Sequence, residues 1–284
     1  MNDFDNRLAH LRNVKGIERF NLELILHPEP DIISECIDRF GHWERTETQF
    51  VIDTIKDGDI ILDLGANLGY YTALFSRLVG GRGKVFAFEP DNDNFLLLML
   101  NVKHNELANV MATKAMVGRS SGIAALHLHN PENRGAHMAA NPNHPNFQSV
   151  VYHPQITLDE LREAGAFDHV DFIKMDTQGA EPDIVAGARE VIKANAAHLN
   201  MVVEFCPRWI KRFHNREAID FYRELCGFGF DGFYVHPIRN EILPVDDAAE
   251  LIATVTANDG ISWPEGVGFV DLIMRPSTRL PQSK

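Results

Sequence analysis

The run Ile60-Ile-Leu-Asp63-Leu-Gly65-Ala-Asn67-Leu-Gly69-Tyr70 constrains the fold more than any other stretch, because it carries an apolar strand straight into an Asp-x-Gly-x-x-x-Gly turn and then into a helix. Ile60 to Leu62 read as an inner parallel strand, and the two glycines allow a sharp turn and a close approach to a ligand where a Cβ would clash. The spacing departs from Gly-x-Gly-x-x-Gly, which seats a dinucleotide pyrophosphate on a helix N-terminus. Instead an acid, Asp63, stands two residues before the first glycine. A carboxylate there suits a ligand with an ammonium or sulfonium group and repels pyrophosphate.

A second strand, Lys84-Val-Phe-Ala-Phe-Glu89, ends in an acid placed to accept both hydroxyls of an adenosine ribose. An amino acid joined to adenosine is S-adenosylmethionine, so the expectation is a methyltransferase. No Cys-x-x-Cys pair occurs among the three cysteines, Cys36, Cys206 and Cys226, which argues against a zinc site or a disulfide framework. The net charge of −13 disfavours a nucleic-acid backbone or an anionic membrane as partner. Lys211, Arg212 and Arg216 are the best basic cluster, read as a solvated helix face. The start of the chain lacks the order of a signal peptide and no apolar run reaches membrane-span length, so a cytoplasmic protein is expected.

Along the chain, residues 1–57 are expected to form an N-terminal helical cap, with Asp31 an N-cap before Ile32 and a second helix near Thr46 to Ile55. The methyltransferase domain is expected over 58–284. It alternates strand 60–64, helix 68–79, strand 84–89, helix 92–103 and strand 110–117, the signature of a parallel sheet. Phe95, Leu98, Met99 and Val102 recur at helical spacing and are expected in the core. An insert at about 118–156 breaks the alternation with two strands, 123–128 and 149–153, joined by a loop from Asn130 to Gln148. Its Asn133-Arg-Gly-Ala-His137 portion is expected to be functional, since long loops in compact domains usually are. Thr157-Leu-Asp-Glu160 matches a capping box. Strand 170–175 then ends at Asp176-Thr-Gln-Gly179-Ala-Glu181, Pro182 fits the first turn of a helix, and strand 199–205 carries Glu204. A helix near 216–225 and strands 228–235 and 267–274 complete the pattern, while 236–266 is too irregular to assign.

Three segments resemble the FkbM-type family of S-adenosylmethionine-dependent methyltransferases: Asp63-Leu-Gly-Ala-Asn-Leu-Gly-Tyr70-Tyr71, the strand ending Phe88-Glu89-Pro90, and Asp171-Phe-Ile-Lys174-Met-Asp176-Thr-Gln178-Gly179-Ala-Glu181. The third often carries an acid where this chain has Gln178, and the loop at Asn133 to Met138 has His137 where the family places something smaller. The resemblance implies an α/β, class I (Rossmann-like) three-layer sandwich with sheet order 3-2-1-4-5-7-6 and strand 7 antiparallel. It also implies O-methylation of a hydroxyl on a sugar, polyketide or other small secondary metabolite.

Methyl transfer from a sulfonium needs alignment and exclusion of water, and a hydroxyl acceptor also needs its proton removed by a base or acidified by a metal. In open parallel sheets the ligand lies beyond the carboxyl ends of the strands, where Asp63, Glu89, Asp176 and Glu204 all fall. Asp63 is assigned to the methionine end or the glycine turn and Glu89 to the ribose, with Pro90 beside it. Gly65, Ala66, Asn67, Gly69 and Tyr70 are expected around the methionine portion, and Met116 and Val117 beside adenine. Asp176, also counted with the cofactor, and Glu204 remain for the acceptor side, with Glu181 and His137 as further catalytic candidates. The two strand-end acids could act as base and orienting group, or hold Mg²⁺. The plainer readings are that Asp176 caps its turn, Glu204 pairs with Lys174 or Arg208, His137 is a solvated loop residue and Lys174 is an ion-pair partner. Competing functions are a nicotinamide oxidoreductase, a non-catalytic adenosylmethionine-binding module and, against the charge, a nucleic-acid methyltransferase.

Overall fold

The computed structural model describes residues 7–129, 131–140, 147–257 and 268–278. The chain opens with β1 (Leu8–His10) and β2 (Glu23–Ile25), then α1 (Ile32–Phe40) and α2 (Arg45–Thr54). The first alternating stretch is β3 (Ile60–Leu64), α3 (Tyr70–Val79), β4 (Lys84–Phe88), α4 (Asn92–His104) and β5 (Val110–Thr113). The insert holds β6 (Met116–Val117), β7 (Gly122–His129) and β8 (Phe147–Ile156). There follow α5 (Leu158–Glu163), β9 (Phe172–Met175), α6 (Glu181–Ala186), α7 (Arg189–Asn195), β10 (Asn200–Phe205), α8 (Pro207–His214), α9 (Ala218–Gly227), β11 (Phe230–Val235), β12 (Ile242–Pro244), α10 (Ala248–Thr256) and β13 (Val270–Pro276).

The main sheet has the order β12-β11-β13-β10-β9-β3-β4-β5. Strands β5, β4, β3, β9 and β10 are parallel, and β13 runs antiparallel to both β10 and β11. This is the class I methyltransferase order 3-2-1-4-5-7-6 with β12 added at one edge. Alternation along the strands splits the core in two. Leu62, Leu64, Ile173, Met175, Val203 and Leu272 pack on α6, α7, α9 and α10, whereas Ile61, Val85, Phe172, Val202 and Ile273 pack on α2, α3 and the N-terminal segment. The same parity puts Asp63, Lys174, Glu204 and Asp271 on the second face. The register sets Asp63 opposite Lys174 and Glu204 opposite Asp271.

Three expectations are corrected. Helix does not extend through residues 1–57: β1 and β2 pair antiparallel around a short 3-10 turn at Glu18–Phe20, and among the described residues α-helix begins at Ile32, behind the expected Asp31 cap. The ribbon's other edge is closed by side-chain amides of α4. Asn101 accepts from the Ile25 N–H at 2.6 Å and donates to its carbonyl at 3.0 Å, and Asn105 treats Glu23 the same way at 3.1 and 2.7 Å. The expected strand 110–117 is broken, because β6 leaves the main sheet to pair with β8. Met99 is 43% exposed, while Leu97 and Leu98 take the buried positions of α4. The unassigned link holds β12 and α10. Residues 258–267, which include Val267 of the expected last strand, and residues 130 and 141–146 of the expected loop, lie outside the described residues. Among the described residues no helix is long and apolar enough to cross a membrane.

Candidate active site

The turn after β3 is left-handed at three residues, Gly65 (φ +84°), Asn67 (φ +52°) and Gly69 (φ +95°). A Cβ on Gly65 would lie 1.9 Å from the Asp176 carbonyl oxygen, and one on Gly69 would lie 2.8 Å from Leu98 Cδ1. The close approaches these glycines permit are thus to the end of β9 and to α4, rather than to a ligand. The N–H groups of Gly65 and Ala66 both donate to the Phe88 carbonyl at 3.0 Å, which ties the turn to β4.

Glu89 is the second anchor. Its Oε2 accepts from the Asn67 N–H and its Oε1 from the Asp91 N–H, both at 2.8 Å. Burial pushes this carboxyl up to about 8, against the opposing pull of the two backbone donors. The Asn94 side chain also hydrogen-bonds this carboxyl, and held protonated it offers an O–H donor beside its remaining acceptor positions. Glu89 lines a cavity with Phe88, Pro90, Met116, Val117, Leu126 and His137. The cavity thus sets a buried carboxyl against largely apolar walls.

His137 is not the solvated loop residue of the plainer reading. Its side chain is only 8% exposed, its Nδ1 accepts from the His129 N–H at 3.0 Å, and burial lowers it to about 4. The imidazole is therefore neutral with the proton on Nε2, and that buried atom has no protein hydrogen-bond partner. It lines the same cavity as Glu89 and is absent from the wall around Glu204.

A second cavity continues from the first through the shared residues Gly65, Asn67, Gly135, Asp176 and Gln178. Its walls include Asp63, Ala66, Tyr70, Tyr71, Lys174, Glu204 and Asp271, together with Trp43, Glu44 and Phe269. Asp63 accepts from the Thr72 hydroxyl and is pushed up to about 6 by burial. The Tyr70 hydroxyl is paired with that of Thr48 at 3.0 Å. Lys174 sits 2.9 Å from Asp176 and 3.8 Å from Glu47, with its ammonium 4.6 Å from the centre of the Tyr71 ring. Burial works against that charge, but the carboxylates of Asp176, Glu47, Glu44 and Asp271 outweigh it and keep the lysine protonated.

Gln178, itself left-handed at φ +55°, donates from one amide nitrogen to Asp176 Oδ1 at 3.0 Å and to Glu204 Oε1 at 2.9 Å. The two strand-end acids expected on the acceptor side are thus brought together by an amide. Glu204 is 4% exposed, and its other oxygen is buried without a hydrogen-bond partner. Burial, then the charges of Asp176, Glu181 and Asp271, push Glu204 well above the usual carboxylate range. It is not held in an ion pair by Lys174, whose contacts are Asp176 and Glu47. Glu181 is corrected outright as a catalyst. It lines neither cavity, and its Oε1 accepts from the Thr177 N–H and hydroxyl at 2.9 and 2.8 Å, which braces the turn after β9.

The sequence reading missed Glu44, Glu47 and Asp271, whose carboxylate oxygens lie within 4.8 Å of one another. Asp271 could have been found, because the first acid of an antiparallel last strand falls beside the carboxyl ends of its parallel neighbours. The two glutamates depend on where α2 docks, and no local pattern reports that. Neither acid set fits Mg²⁺: Lys174 brings its ammonium to the triad, and a metal between Asp176 and Glu204 would have to displace the Gln178 amide.

One further element closes the chamber. Residues 131–136 form tight turns against α1, where Asp31 accepts from the Ser34 N–H with Oδ2 at 3.0 Å and from the Arg134 N–H with Oδ1 at 3.2 Å. Arg134 also pairs with Asp93 at 2.7 Å, so N-terminal segment, insert and α4 meet over the glycine turn.

Comparison with known proteins gives a consistent picture. The family profile described as "Methyltransferase FkbM domain" matches residues 63–231. The hexuronic acid methyltransferase AglP of Haloferax volcanii is 24% identical over 152 residues, covering 53% of this chain and 59% of that protein. Methyltransferase 1 of Beauveria bassiana is 25% identical over 170 residues, covering 53% of this chain and 66% of that protein. The chain thus spans less than two thirds of the length of these relatives. Among solved structures, the FkbM methyltransferase of Methylobacillus flagellatus aligns with a TM-score of 0.46 at 14% identity, over 77% of this chain and 44% of that chain. An S-adenosylmethionine-dependent O-methyltransferase of Thermotoga maritima aligns with a TM-score of 0.40 at 16% identity, over 91% of this chain and 74% of that chain.

Proposed function

The chain belongs to the FkbM methyltransferase family, and on that premise we propose that it transfers a methyl group from S-adenosylmethionine to a hydroxyl of a small molecule. The observation that carries the reading is the unpartnered, buried oxygen of Glu204 on the wall of a cavity it shares with the glycine turn and Asp63.

When bound, S-adenosylmethionine supplies an electrophilic methyl carbon on a cationic sulfur. Glu89 and the free Nε2–H of His137 would hold the adenosine, and Met116 and Val117 would enclose the base. Asp63 and Asp176 would receive the positive charges of the methionine end, with Lys174 limiting how much negative charge accumulates there. Glu204 would take the proton of the acceptor hydroxyl as the carbon–sulfur bond breaks and the carbon–oxygen bond forms. The products are a methyl ether, S-adenosylhomocysteine and a protonated Glu204, which balances atoms and charge. Burial and the neighbouring acids raise the Glu204 carboxyl well above the usual carboxylate range, which makes it a stronger base for that proton.

A sugar or comparable polyhydroxyl metabolite is the acceptor class we favour, supported by the hexuronic acid named for the Haloferax relative. The overall negative charge speaks against a polyanionic acceptor such as nucleic acid.

The test is formation of S-adenosylhomocysteine with a panel of hydroxyl acceptors, comparing the wild type with Glu204→Gln. A positioned base contributes about 10²–10⁴-fold, so the variant should lose at least about 10²-fold in kcat while still binding S-adenosylhomocysteine. Unchanged turnover by Glu204→Gln would remove Glu204 from the proton-transfer role.

A further inference from the structure

The part of the second cavity away from the glycine turn is walled by Glu44, Glu204 and Asp271, with Trp43 and Phe269 beside them. Trp43, Glu44, Phe269 and Asp271 also line a groove that leads outward along α2 and the 235–242 segment. Like charges directly across a pair of strands destabilise a sheet, yet Glu204 and Asp271 are cross-strand partners. Glu44 accepts from the Tyr71 hydroxyl at 3.1 Å and also shares a side-chain hydrogen bond with Glu47. Behind them Glu47 is 1% exposed, and both its oxygens are buried.

The positive charge available within the wall does not match this. Among the described residues that line the cavity, Lys174 is the one lysine or arginine. Its short contact goes to Asp176, on the methionine side, and its longer one to Glu47. The donor's ammonium and sulfonium would face Asp63 and Asp176. On the acceptor side Glu44, Glu204 and Asp271 share the ammonium of Lys174, already in contact with Asp176, and burial with the charge of neighbouring acids raises all three. Glu204 adds a second observation, because it lines the cavity and its second oxygen is buried and, among the described residues, unpartnered.

We propose that the acceptor is a cationic hydroxyl compound, of the amino-sugar or amino-alcohol type, whose ammonium group is received by Glu44 and Asp271 while its hydroxyl is presented to Glu204. This rests on the methyltransferase reading above and narrows its substrate class. The indole of Trp43 and the ring of Phe269 complete such a site, since aromatic faces attract cations and also stack on sugar rings. An anionic acceptor such as a uronic acid would meet three carboxylates. Like charges at contact range repel, which discriminates between otherwise similar acceptors.

The experiment uses the full chain saturated with S-adenosylhomocysteine and three matched probes: glucosamine, glucose and glucuronic acid. Binding of each is measured by calorimetry at low ionic strength, below the amine's pKa. Glucosamine should bind at least about tenfold tighter than glucose, a difference of about 1.4 kcal/mol, and glucuronic acid weakest. Glu44→Gln, a surface-side change that leaves the proposed base in place, should reduce the glucosamine preference by several-fold. Equal affinity for the three probes, a preference for glucuronic acid, or no glucosamine binding to the S-adenosylhomocysteine complex would overturn the proposal while leaving the methyltransferase reading intact. Failure of S-adenosylhomocysteine itself to bind would overturn both, so the two failures are told apart in the first titration.

Discussion

At the residue scale, the position that organises the site is Gln178, where the family often carries an acid. An acid there would set three carboxyl groups within hydrogen-bond range, whereas the amide donates to Asp176 and Glu204 at once. Replacing it with leucine keeps the volume roughly constant and leaves both acids without that donor, at a cost of about 1–3 kcal/mol for the buried one. Gln178→Leu should therefore lower the melting temperature and reduce turnover by more than about tenfold, on the same scale of lost hydrogen bonding. Wild-type melting and turnover in this variant would mean that the bridge is incidental. The Glu204→Gln variant adds a pH signature. Because Glu204 titrates well above the usual carboxylate range, wild-type turnover should rise with pH through that raised pKa, and the variant's residual turnover should lose that limb.

At the element scale, the glycine turn and the insert are the parts whose geometry is least negotiable. Gly65→Ala places a methyl group 1.9 Å from the backbone oxygen of Asp176 and asks for φ +84° from an alanine. Backbone cannot retreat as a flexible side chain can, and left-handed strain alone costs about 1–3 kcal/mol. The expected result is at least a tenfold loss of S-adenosylhomocysteine affinity, by the conversion of about 1.4 kcal/mol per decade, with a lower melting temperature. Affinity and melting equal to wild type would contradict the observed contact. Asp31→Ala removes the cap of α1, worth about 0.5–2 kcal/mol, and frees Arg134 of the insert. Affinity for adenosine should weaken along with stability, and a change in stability alone would show that the insert does not need this tether.

How much of this was legible in the sequence follows element by element. The parallel strands, the turn and the insert hairpin announce themselves by short-range patterns: apolar runs, glycine spacing, period-two alternation and the Thr157 cap, which accepts from the Glu160 N–H at 3.1 Å. The β1–β2 ribbon does not, because its edge is satisfied by amides 76 and 82 residues away in the chain. The catalytic candidates divide in the same way. Asp176 and Glu204 end strands and were found, whereas the buried role of His137 and the bracing role of Glu181 depend on contacts that no spacing encodes.

At the scale of the whole molecule, the buried acids link stability to pH. Folding raises Glu89 to about 8, Glu181 to about 7 and Asp63 to about 6. The unfolded chain sheds these protons near ~4. The folded state therefore holds protons that the unfolded state has lost, and stability falls as pH rises through the raised values. His137, lowered to about 4, acts in the opposite sense, its contribution being lost as pH falls from ~6.5 towards its folded value. Above neutrality Glu89, at about 8, still contributes in this sense. The melting temperature of the ligand-free protein should thus drop by several degrees between about pH 6.5 and 8.5, taking ~2–4 °C per kcal/mol for a chain of this size. A rising or flat profile in calorimetry would contradict the protonated, buried state of Glu89.

The account as a whole requires that the paired cavities at the strand ends accept an adenosine joined to a cationic amino acid and refuse a pyrophosphate. Calorimetric titration of the ligand-free protein with S-adenosylmethionine, S-adenosylhomocysteine and NAD tests this most directly. Micromolar binding of both adenosyl ligands, with no heat from NAD, is the predicted result. Binding of NAD with none of the adenosyl ligands would mean that Asp63 and its glycine turn serve a dinucleotide, and the assignment of the site built on them would fail.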